Sequence, residues 1–198
     1  MLLFSDTELF TAGKKKLHNF DFPELNLYQQ DGFVTKNMAD YYYHHFLNNT
    51  PWQEHKMEMY KKTIVVPRKI AWYENEKENK FTPELLTLKH QVEEKTGFEY
   101  NAVLLNLYRD GNDGVSWHSD KEDKSGEKPA IASVSFGQTR LFRLRHKFRK
   151  EVPQLEIPLH HGTLLLMHGY TNENWEHEIP KSKKPMLPRI NLTFRQIK

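Results

Sequence analysis

The hydrophobic pattern of the chain changes after Gly97, and this change constrains the fold more than any other feature. Beyond it, short runs rich in aliphatic residues occupy residues 100–108, 130–136, 139–147, 163–168 and 188–196. Runs of this length, separated by turn residues, are typical of β-strands. Gly137-Gln138 separates two of the runs and predicts a two-residue hairpin turn. We therefore expect an all-β core of the sandwich or jelly-roll type.

Two helices are predicted before this change. Side chains at helical spacing predict the first over about residues 38–48, with Asn37 as its N-cap, and these side chains are Met38, Tyr42, His45 and Phe46. The second helix follows Thr82-Pro83 and ends at Gly97. Threonine is a good N-cap, proline suits the first helical position, and glycine commonly ends a helix.

The remaining segments complete the expected organisation. Residues 63–73 have the pattern of a strand, and residues 1–34 have no regular pattern, so we expect them to be irregular. The length of 198 residues suits a single domain. Within it we expect an N-terminal helical region over 1–96 and a jelly-roll core over 97–198, so that helices flank an all-β core and the class is α+β overall.

The composition excludes several classes of protein. The chain has no cysteine, which removes disulfides, thiolate zinc sites and cysteine nucleophiles. No apolar run approaches the roughly 18 residues of a membrane-spanning helix. The first residues lack the basic region of a signal peptide. We therefore expect no membrane contact and an intracellular location, the cytoplasm if the protein is bacterial.

Basic residues are concentrated in two stretches, although the formal net charge is only +3. The first stretch contains Arg140, Arg143, Arg145, His146, Lys147, Arg149 and Lys150, and the second contains Lys56, Lys61, Lys62, Arg68 and Lys69. Basic residues interleaved with aromatic ones suit a surface that binds a polyanion. The alternative is a solvated strand edge that carries charge against aggregation.

A candidate metal site begins with His118-Ser119-Asp120. In an extended segment, residues two apart point to the same side, so His118 and Asp120 can share one metal ion. A third ligand would complete the two-histidine, one-carboxylate face that leaves positions open on iron(II). The glycine-rich residues 111–114 just before the motif also fit a surface loop.

The last predicted strand has a polar face. Its members are Arg189, Asn191, Thr193 and Arg195. Such a face can simply meet water. It also suits a dicarboxylate, because an arginine fork can hold a carboxylate through two parallel hydrogen bonds. The strand over 102–108 becomes polar only at Asn106 and Tyr108, which favours a ligand site at that end.

Taken together, these blocks resemble the AlkB family of iron(II)/2-oxoglutarate dioxygenases. The resemblance runs over about residues 100–195 and rests on Asn106-Leu107-Tyr108, His118-Ser119-Asp120, Trp175-Glu176-His177 and the run 189–195. Val66-Pro67-Arg68 and residues 133–137 agree more weakly. The resemblance implies a double-stranded β-helix, bound iron(II), and 2-oxoglutarate and O2 as cosubstrates.

The resemblance also implies roles for individual residues. His118, Asp120 and His177 would bind iron and form the catalytic centre. Arg189 and Arg195 would hold the carboxylates of 2-oxoglutarate, supported by Asn106, Tyr108, Asn191 and Thr193. Substrate-binding roles would fall to Glu122, which meets the damaged base, and to Tyr60, Lys61, Lys62, Arg68 and Trp117. Tyr60-Lys61-Lys62 would form a hairpin tip that probes a duplex, or an exposed turn.

The implied activity is oxidative demethylation of bases such as 1-methyladenine and 3-methylcytosine in DNA, a direct-reversal repair. The implied partner is alkylated DNA, or RNA, and we expect a monomer. Residues 74–81 are polar and acidic where relatives carry part of a nucleotide-gripping lid, which leaves the substrate open. RNA, a protein side chain or a small molecule are alternatives, as is a non-catalytic jelly roll that binds nucleic acid. The other histidines considered are expected to be packed or exposed rather than ligands, namely His44, His45, His160, His161 and His168.

Overall fold

The computed structural model describes residues 10–59, 62–75, 80–120 and 130–197. The strands in these residues are β1 (Lys16–Asn19), β2 (Asn26–Asp31), β3 (Gln53–Met59), β4 (Lys62–Glu74), β5 (Ala102–Tyr108), β6 (Val115–His118), β7 (Ile131–Gly137), β8 (Arg140–His146), β9 (Leu155–Leu159), β10 (Thr163–His168), β11 (Trp175–Ile179) and β12 (Arg189–Arg195). The helices are α1 (Lys36–Asn49), α2 (Pro83–Thr96) and the short α3 (Thr171–Asn174).

The strands form two antiparallel sheets. The large sheet has the order β1-β2-β10-β7-β12-β5-β4-β3, and the small sheet has the order β6-β11-β8-β9. From β5 to β12, consecutive strands alternate between the sheets as in a double-stranded β-helix, except that β8 and β9 are paired neighbours in the small sheet. The expected jelly-roll fold is therefore confirmed. Because β2 pairs with β10 and β4 pairs with β5, residues on both sides of position 96 share the large sheet.

The two faces of the large sheet bury different clusters. On one face, Ile190, Leu192 and Phe194 of β12 pack in a core that includes α1 and α2. Side chains alternate along a strand, so Arg189, Asn191, Thr193 and Arg195 point the other way, toward the small sheet. There a second core joins apolar residues of both sheets, including Leu165, Met167, Leu144 and Trp175. The polar face of β12 is thus enclosed between the sheets rather than directed to water.

Local signals in the sequence predict α2 and the expected strands correctly. The Thr82 hydroxyl accepts a hydrogen bond from the backbone N–H of Leu85 at 3.4 Å. Gly97 ends the helix with φ at 75°, a left-handed conformation that suits glycine. Each of the five strand runs after Gly97 overlaps a strand of the structure, and the run 63–73 lies within β4.

Three expectations were wrong. Gly137-Gln138 is not a hairpin turn, because β7 pairs with β10 and β12 whereas β8 pairs with β9 and β11. The two residues instead carry the chain from one sheet to the other, with φ of Gly137 at +90° and the Gln138 N–H donating to the Pro188 carbonyl at 3.0 Å. The N-cap of α1 is Thr35 rather than Asn37. The segment expected to be irregular before residue 34 contains β1 and β2, which extend the large sheet.

Candidate active site

Two histidines and one aspartate meet at the edge of the small sheet. His118, the last residue of β6, lies directly opposite His177 of β11, and their ring centroids are 4.3 Å apart. Asp120 follows two residues after His118, and one carboxylate oxygen is 3.8 Å from Nε2 of His177. One ligand atom from each of the three residues lies within 4.8 Å of the others. Two imidazoles and a carboxylate at this spacing match a facial ligand set for iron(II).

Hydrogen bonds outside this group fix the ligand orientations. Nδ1 of His118 lies 2.8 Å from the carbonyl of Ser116, and because a carbonyl only accepts, Nδ1 carries the hydrogen and Nε2 is free to bind a metal. The Asp120 backbone is held on both sides by the Asn172 side chain, which accepts from its N–H and donates to its carbonyl, both at 2.9 Å. The hydroxyl of Ser119 donates to the Trp175 carbonyl at 2.9 Å.

The ligands are held in the protonation states that a metal requires. Burial lowers the pKa of His177 to about 4, against the opposing effect of Asp120, so the ring is neutral near pH 7. Burial alone would raise the pKa of the Asp120 carboxyl, but Arg195 and the two histidines outweigh it and lower that pKa. A neutral imidazole and a carboxylate are the metal-binding forms of these side chains.

A buried guanidinium group marks the second part of the site. Arg189 is 1% exposed, and its Nη2 donates to the Ser135 hydroxyl at 2.9 Å, while Nε and Nη1 have no partner among the described residues. Burial lowers its pKa to about 10, so Arg189 remains charged near pH 7. A buried cation with two open N–H groups is costly unless an anion meets it. The position therefore fits a carboxylate, as the sequence predicts for 2-oxoglutarate.

Arg195 has a different environment from Arg189. Its Nη2 donates to Asp120 at 2.6 Å, which joins β12 of the large sheet to the metal ligands of the small sheet. Only its Nε is buried without a partner in the described part of the chain. The two arginines that the sequence assigns to one ligand thus lie on the same face of β12, with one of them already paired to a candidate metal ligand.

The polar residues between and beside the arginines form a hydrogen-bonded row. The amide of Asn191 donates to the Ser133 hydroxyl at 2.5 Å and accepts from the Thr193 hydroxyl at 3.0 Å. The ring of Tyr108 lies against the guanidinium of Arg189, whose Cζ is 5.2 Å from the ring centroid. On the neighbouring strand, Asn106 accepts from Nε of Arg68 at 2.9 Å. The pairing of β5 with β12 places Asn106 opposite Asn191 and Tyr108 opposite Arg189, and Arg195 links this row to the candidate ligand Asp120.

The residues assigned to the nucleic-acid substrate are not gathered in the same way. Trp117 points to the face of β6 opposite His118, where the Arg145 guanidinium covers its ring at 4.3 Å. Glu122, Tyr60 and Lys61 lie outside the described residues, and of Lys62 only the backbone is described. Arg68 contacts Asn106 and so lies beside the enclosed region.

The first basic stretch is divided by strand alternation. Arg140 is 2% exposed and donates to the carbonyls of Asp110, Asp113 and Pro180 at 2.7–3.0 Å. Arg143 pairs with Glu156 and Arg145 with Glu176, each at 2.7 Å, on the outer face of the small sheet. A continuous polyanion-binding face over this stretch is therefore wrong, and only the loop after His146 retains exposed basic residues.

The other histidines lie outside this group of potential ligands. In the described residues, His118, Asp120 and His177 are the one group of three potential ligands at metal spacing. His161 is fully buried, accepts from the Gly137 N–H at 2.8 Å and lies 3.1 Å from Asp40, which ties α1 to the chain crossing between the sheets. Sequence reasoning missed Asn172 and Ser135, because their partners Asp120 and Arg189 are more than fifty positions away in the chain.

Comparison with known proteins gives consistent results. A family model described as "2OG-Fe(II) oxygenase superfamily" matches residues 26–195. The protein named alpha-ketoglutarate-dependent dioxygenase alkB homolog 3 is 41% identical over 183 residues in Bos taurus and 40% in Homo sapiens. Each alignment covers 84% of this chain and 64% of the relative, so the chain spans less than two thirds of the length of these relatives.

Two further comparisons extend this result. The Homo sapiens protein named DNA oxidative demethylase ALKBH2 is 42% identical over 121 residues, which covers 58% of this chain and 46% of that protein. The solved structure titled "The structure of OsALKBH1" superposes with a TM-score of 0.67 at 13% identity, covering 89% of this chain and 100% of that one, and supports the fold. Within the described residues, no helix is long and apolar enough to cross a membrane.

Proposed function

This chain belongs to the AlkB family within the 2OG-Fe(II) oxygenase superfamily, and on that basis we propose that it removes alkyl groups from the nitrogen atoms of nucleic-acid bases. The activity is a 2-oxoglutarate-dependent dioxygenation. The substrates are N-methylated bases of the 1-methyladenine and 3-methylcytosine type in DNA, and the process is direct-reversal repair. The observation that carries the proposal is that the chain has both the His118, Asp120 and His177 ligand set and a buried arginine, Arg189, with an open guanidinium.

The residues of the chain fit both iron and 2-oxoglutarate. His118, Asp120 and His177 would hold the metal, with Arg195 bound to one Asp120 oxygen and the other oxygen facing His177. When bound, iron(II) with 2-oxoglutarate and O2 supplies the oxidising power that hydroxylates an N-methyl carbon, after which formaldehyde leaves the base. Arg195 therefore keeps one oxygen of Asp120 occupied, so that a single oxygen is directed to the metal position.

Arg189 would bind a carboxylate of 2-oxoglutarate through its guanidinium, of which Nε and Nη1 are open. Ser135 fixes one end of the guanidinium and Tyr108 lies against it, so little side-chain freedom is left to lose on binding. Phe142 stacks on the His177 ring at a centroid distance of 5.1 Å. This contact holds the imidazole plane and excludes water from one side of the ligand, and both effects favour a preorganised site.

A non-catalytic binding module is the alternative from another class. Such a module has no need for three gathered metal ligands or for a buried arginine whose N–H groups are left open. The same chemistry on RNA is the nearer alternative, and the relatives named alkB homolog 3 carry no substrate in that name. The experiment must therefore separate both possibilities from action on DNA.

The test is succinate release from 2-oxoglutarate with iron(II) and ascorbate in air. Oligonucleotides carrying 1-methyladenine or 3-methylcytosine are compared as DNA, as RNA and without the methyl group. His118→Ala should abolish release, whereas His90→Ala, which alters an exposed histidine of α2, should leave it unchanged. Stimulation by methylated DNA supports the proposal. Stimulation by RNA alone moves the substrate to RNA, and absence of release in every case rejects the enzyme.

A further inference from the structure

The loop that follows β8 exposes an aromatic side chain to solvent. Phe148 is 73% exposed, a larger fraction than any other large apolar residue of the described chain. Its neighbours Lys147, Arg149 and Lys150 are basic, and the last two are exposed. Glu151 is the one carboxylate of the loop, which runs from Lys147 to Gln154. An exposed aromatic ring between cationic side chains presents a face on which a nucleic-acid base can stack.

The exposure of Phe148 is built into the loop. The backbone N–H groups of Phe148 and Arg149 both donate to Nδ1 of His146, at 3.2 and 3.1 Å. Because Nδ1 accepts, Nε2 carries the hydrogen and donates to Glu24 at 2.9 Å. The imidazole is buried and packs on Trp175, with ring centroids 5.2 Å apart. The chain therefore turns outward at a fixed point, and the Phe148 ring stands outside the core.

This loop lies beside the metal ligands. The backbone N–H of Lys147 donates to the carbonyl of Asn174 at 2.8 Å, and its ammonium donates to the carbonyl of Asn172 at 2.9 Å. The side chain of Asn172 in turn holds both backbone groups of Asp120. A single residue, Asn172, therefore links Lys147 to the candidate metal ligand Asp120. Phe148 is the residue after Lys147 in the chain.

The chemistry of the loop selects the kind of partner. Arg143 and Arg145 are paired with glutamates on the outer face of the small sheet, and Arg140 is buried, so the positive charge of this stretch that is neither buried nor paired across that sheet lies around Phe148. Arg149 also approaches Glu24 at 3.5 Å, but that carboxylate is shared with His146. Cationic groups that flank an aromatic face bind phosphates and bases in alternation.

We propose that Phe148 is a stacking platform for one base of a single-stranded nucleic acid, next to the nucleotide that enters the metal centre. Lys147, Arg149 and Lys150 would contact the flanking phosphates. A base in a single strand can lay its face on the ring, whereas in a duplex both faces are already covered by neighbouring bases. The position of this base relative to the reacting nucleotide rests on the proposed function, but the stacking itself does not.

The test measures binding without turnover, in the absence of iron and 2-oxoglutarate. Fluorescence anisotropy of a labelled, unmodified single strand is compared for the unaltered protein, Phe148→Ala, Phe148→Trp and Leu141→Ala. Leu141 is the matched control, because it is an exposed apolar residue on the outer face of β8. We expect Phe148→Ala to raise Kd about tenfold, and Phe148→Trp and Leu141→Ala to stay within about twofold.

An abasic position moved along the strand locates the stacked base. In the unaltered protein, one position should weaken binding, and Phe148→Ala should remove that dependence. Unchanged affinity of Phe148→Ala, an equal loss on single and double strands, or no effect of any abasic position would each overturn the proposal. Binding that depends on Phe148 without succinate release on methylated strands would reject the proposed function but keep this inference. Succinate release on methylated strands, with binding that does not depend on Phe148, would reject this inference but keep the proposed function.

Discussion

Asn172 and Asp120 are joined by two hydrogen bonds although fifty-two positions separate them in the chain. The amide of Asn172 pairs with the backbone of Asp120 as a neighbouring strand would. This contact fixes the metal ligand at the point where β6 has ended and regular pairing no longer holds it. Asn172 thus acts as a positioning residue for the carboxylate.

Asn172→Ala is expected to weaken binding of iron(II) about tenfold, since residues that orient ligands typically change metal affinity by roughly 10- to 100-fold. Competition with a chelator under anaerobic conditions measures this affinity. Asn174→Ala is the control, because its side-chain amide donates to the carbonyl of Tyr170, the N-cap of α3. Equal affinity of both variants would show that Asp120 needs no such support.

Arg189→Met should separate ligand binding from stability. The change removes a buried cation with open N–H groups, so we expect the ligand-free protein to keep its Tm or gain a few degrees. In the unaltered protein, saturating 2-oxoglutarate and Mn(II) should raise the Tm more than Mn(II) alone. In Arg189→Met the two increases should be equal, because stabilisation follows ligand affinity and the variant has lost its affinity for 2-oxoglutarate. Thermal unfolding with and without 2-oxoglutarate measures both. A lower Tm in the absence of ligand, as after loss of a core side chain, would contradict this account.

The buried His161 predicts a loss of stability in acid. Burial lowers the pKa of His161, although Asp40 opposes the shift. The folded pKa is then below the unfolded value of about 6.5, so the unfolded chain binds the proton more readily, and the free energy of unfolding falls as the pH drops below that value. Urea unfolding at pH 8 and pH 5.5 should show a smaller fall for His161→Gln than for the unaltered protein. Parallel curves would remove His161 as a source of the pH dependence.

Arg140 and Arg143 lie on the same strand but should differ in their effect on stability. Arg140→Ala removes a buried donor from three carbonyls, of which the Asp113 carbonyl is in a buried hydrogen bond, and is expected to cost about 3 kcal/mol. Arg143→Ala breaks ion pairs of a side chain that is 35% exposed and should cost less than about 1 kcal/mol. Urea unfolding curves measure both. A similar cost for the two changes would mean that the three carbonyls are readily hydrated.

The sequence predicts those parts of the fold whose causes are local. The limits of α2 follow from Thr82, Pro83 and Gly97, and the strand runs follow from their own residues. The turn at Gly137 could not be read in the same way. A positive φ suits a hairpin and a crossing between sheets equally well, and only the pairing of distant strands distinguishes them.

The candidate site is predicted to a similar extent. The ligands and the arginines occur in short motifs, and the structure brings them together. The predicted basic face was misleading because it rested on composition alone. Side chains alternate along β8, so the strand directs Arg140 to the interior and Arg143 outward. Asn172 and Ser135 leave no local pattern, because their roles depend on partners that only the folded sheets bring near.

The hydrogen bond from Arg195 to Asp120 links the last strand of the fold to a ligand made seventy-five residues earlier. During synthesis the three metal ligands leave the ribosome first, and Arg189 and Arg195 emerge only afterwards. A nascent chain that has not yet docked β12 could collect a metal ion but would have no guanidinium group for its cosubstrate. Completion of the centre therefore requires β12 to join the large sheet, because both guanidinium groups lie on that strand.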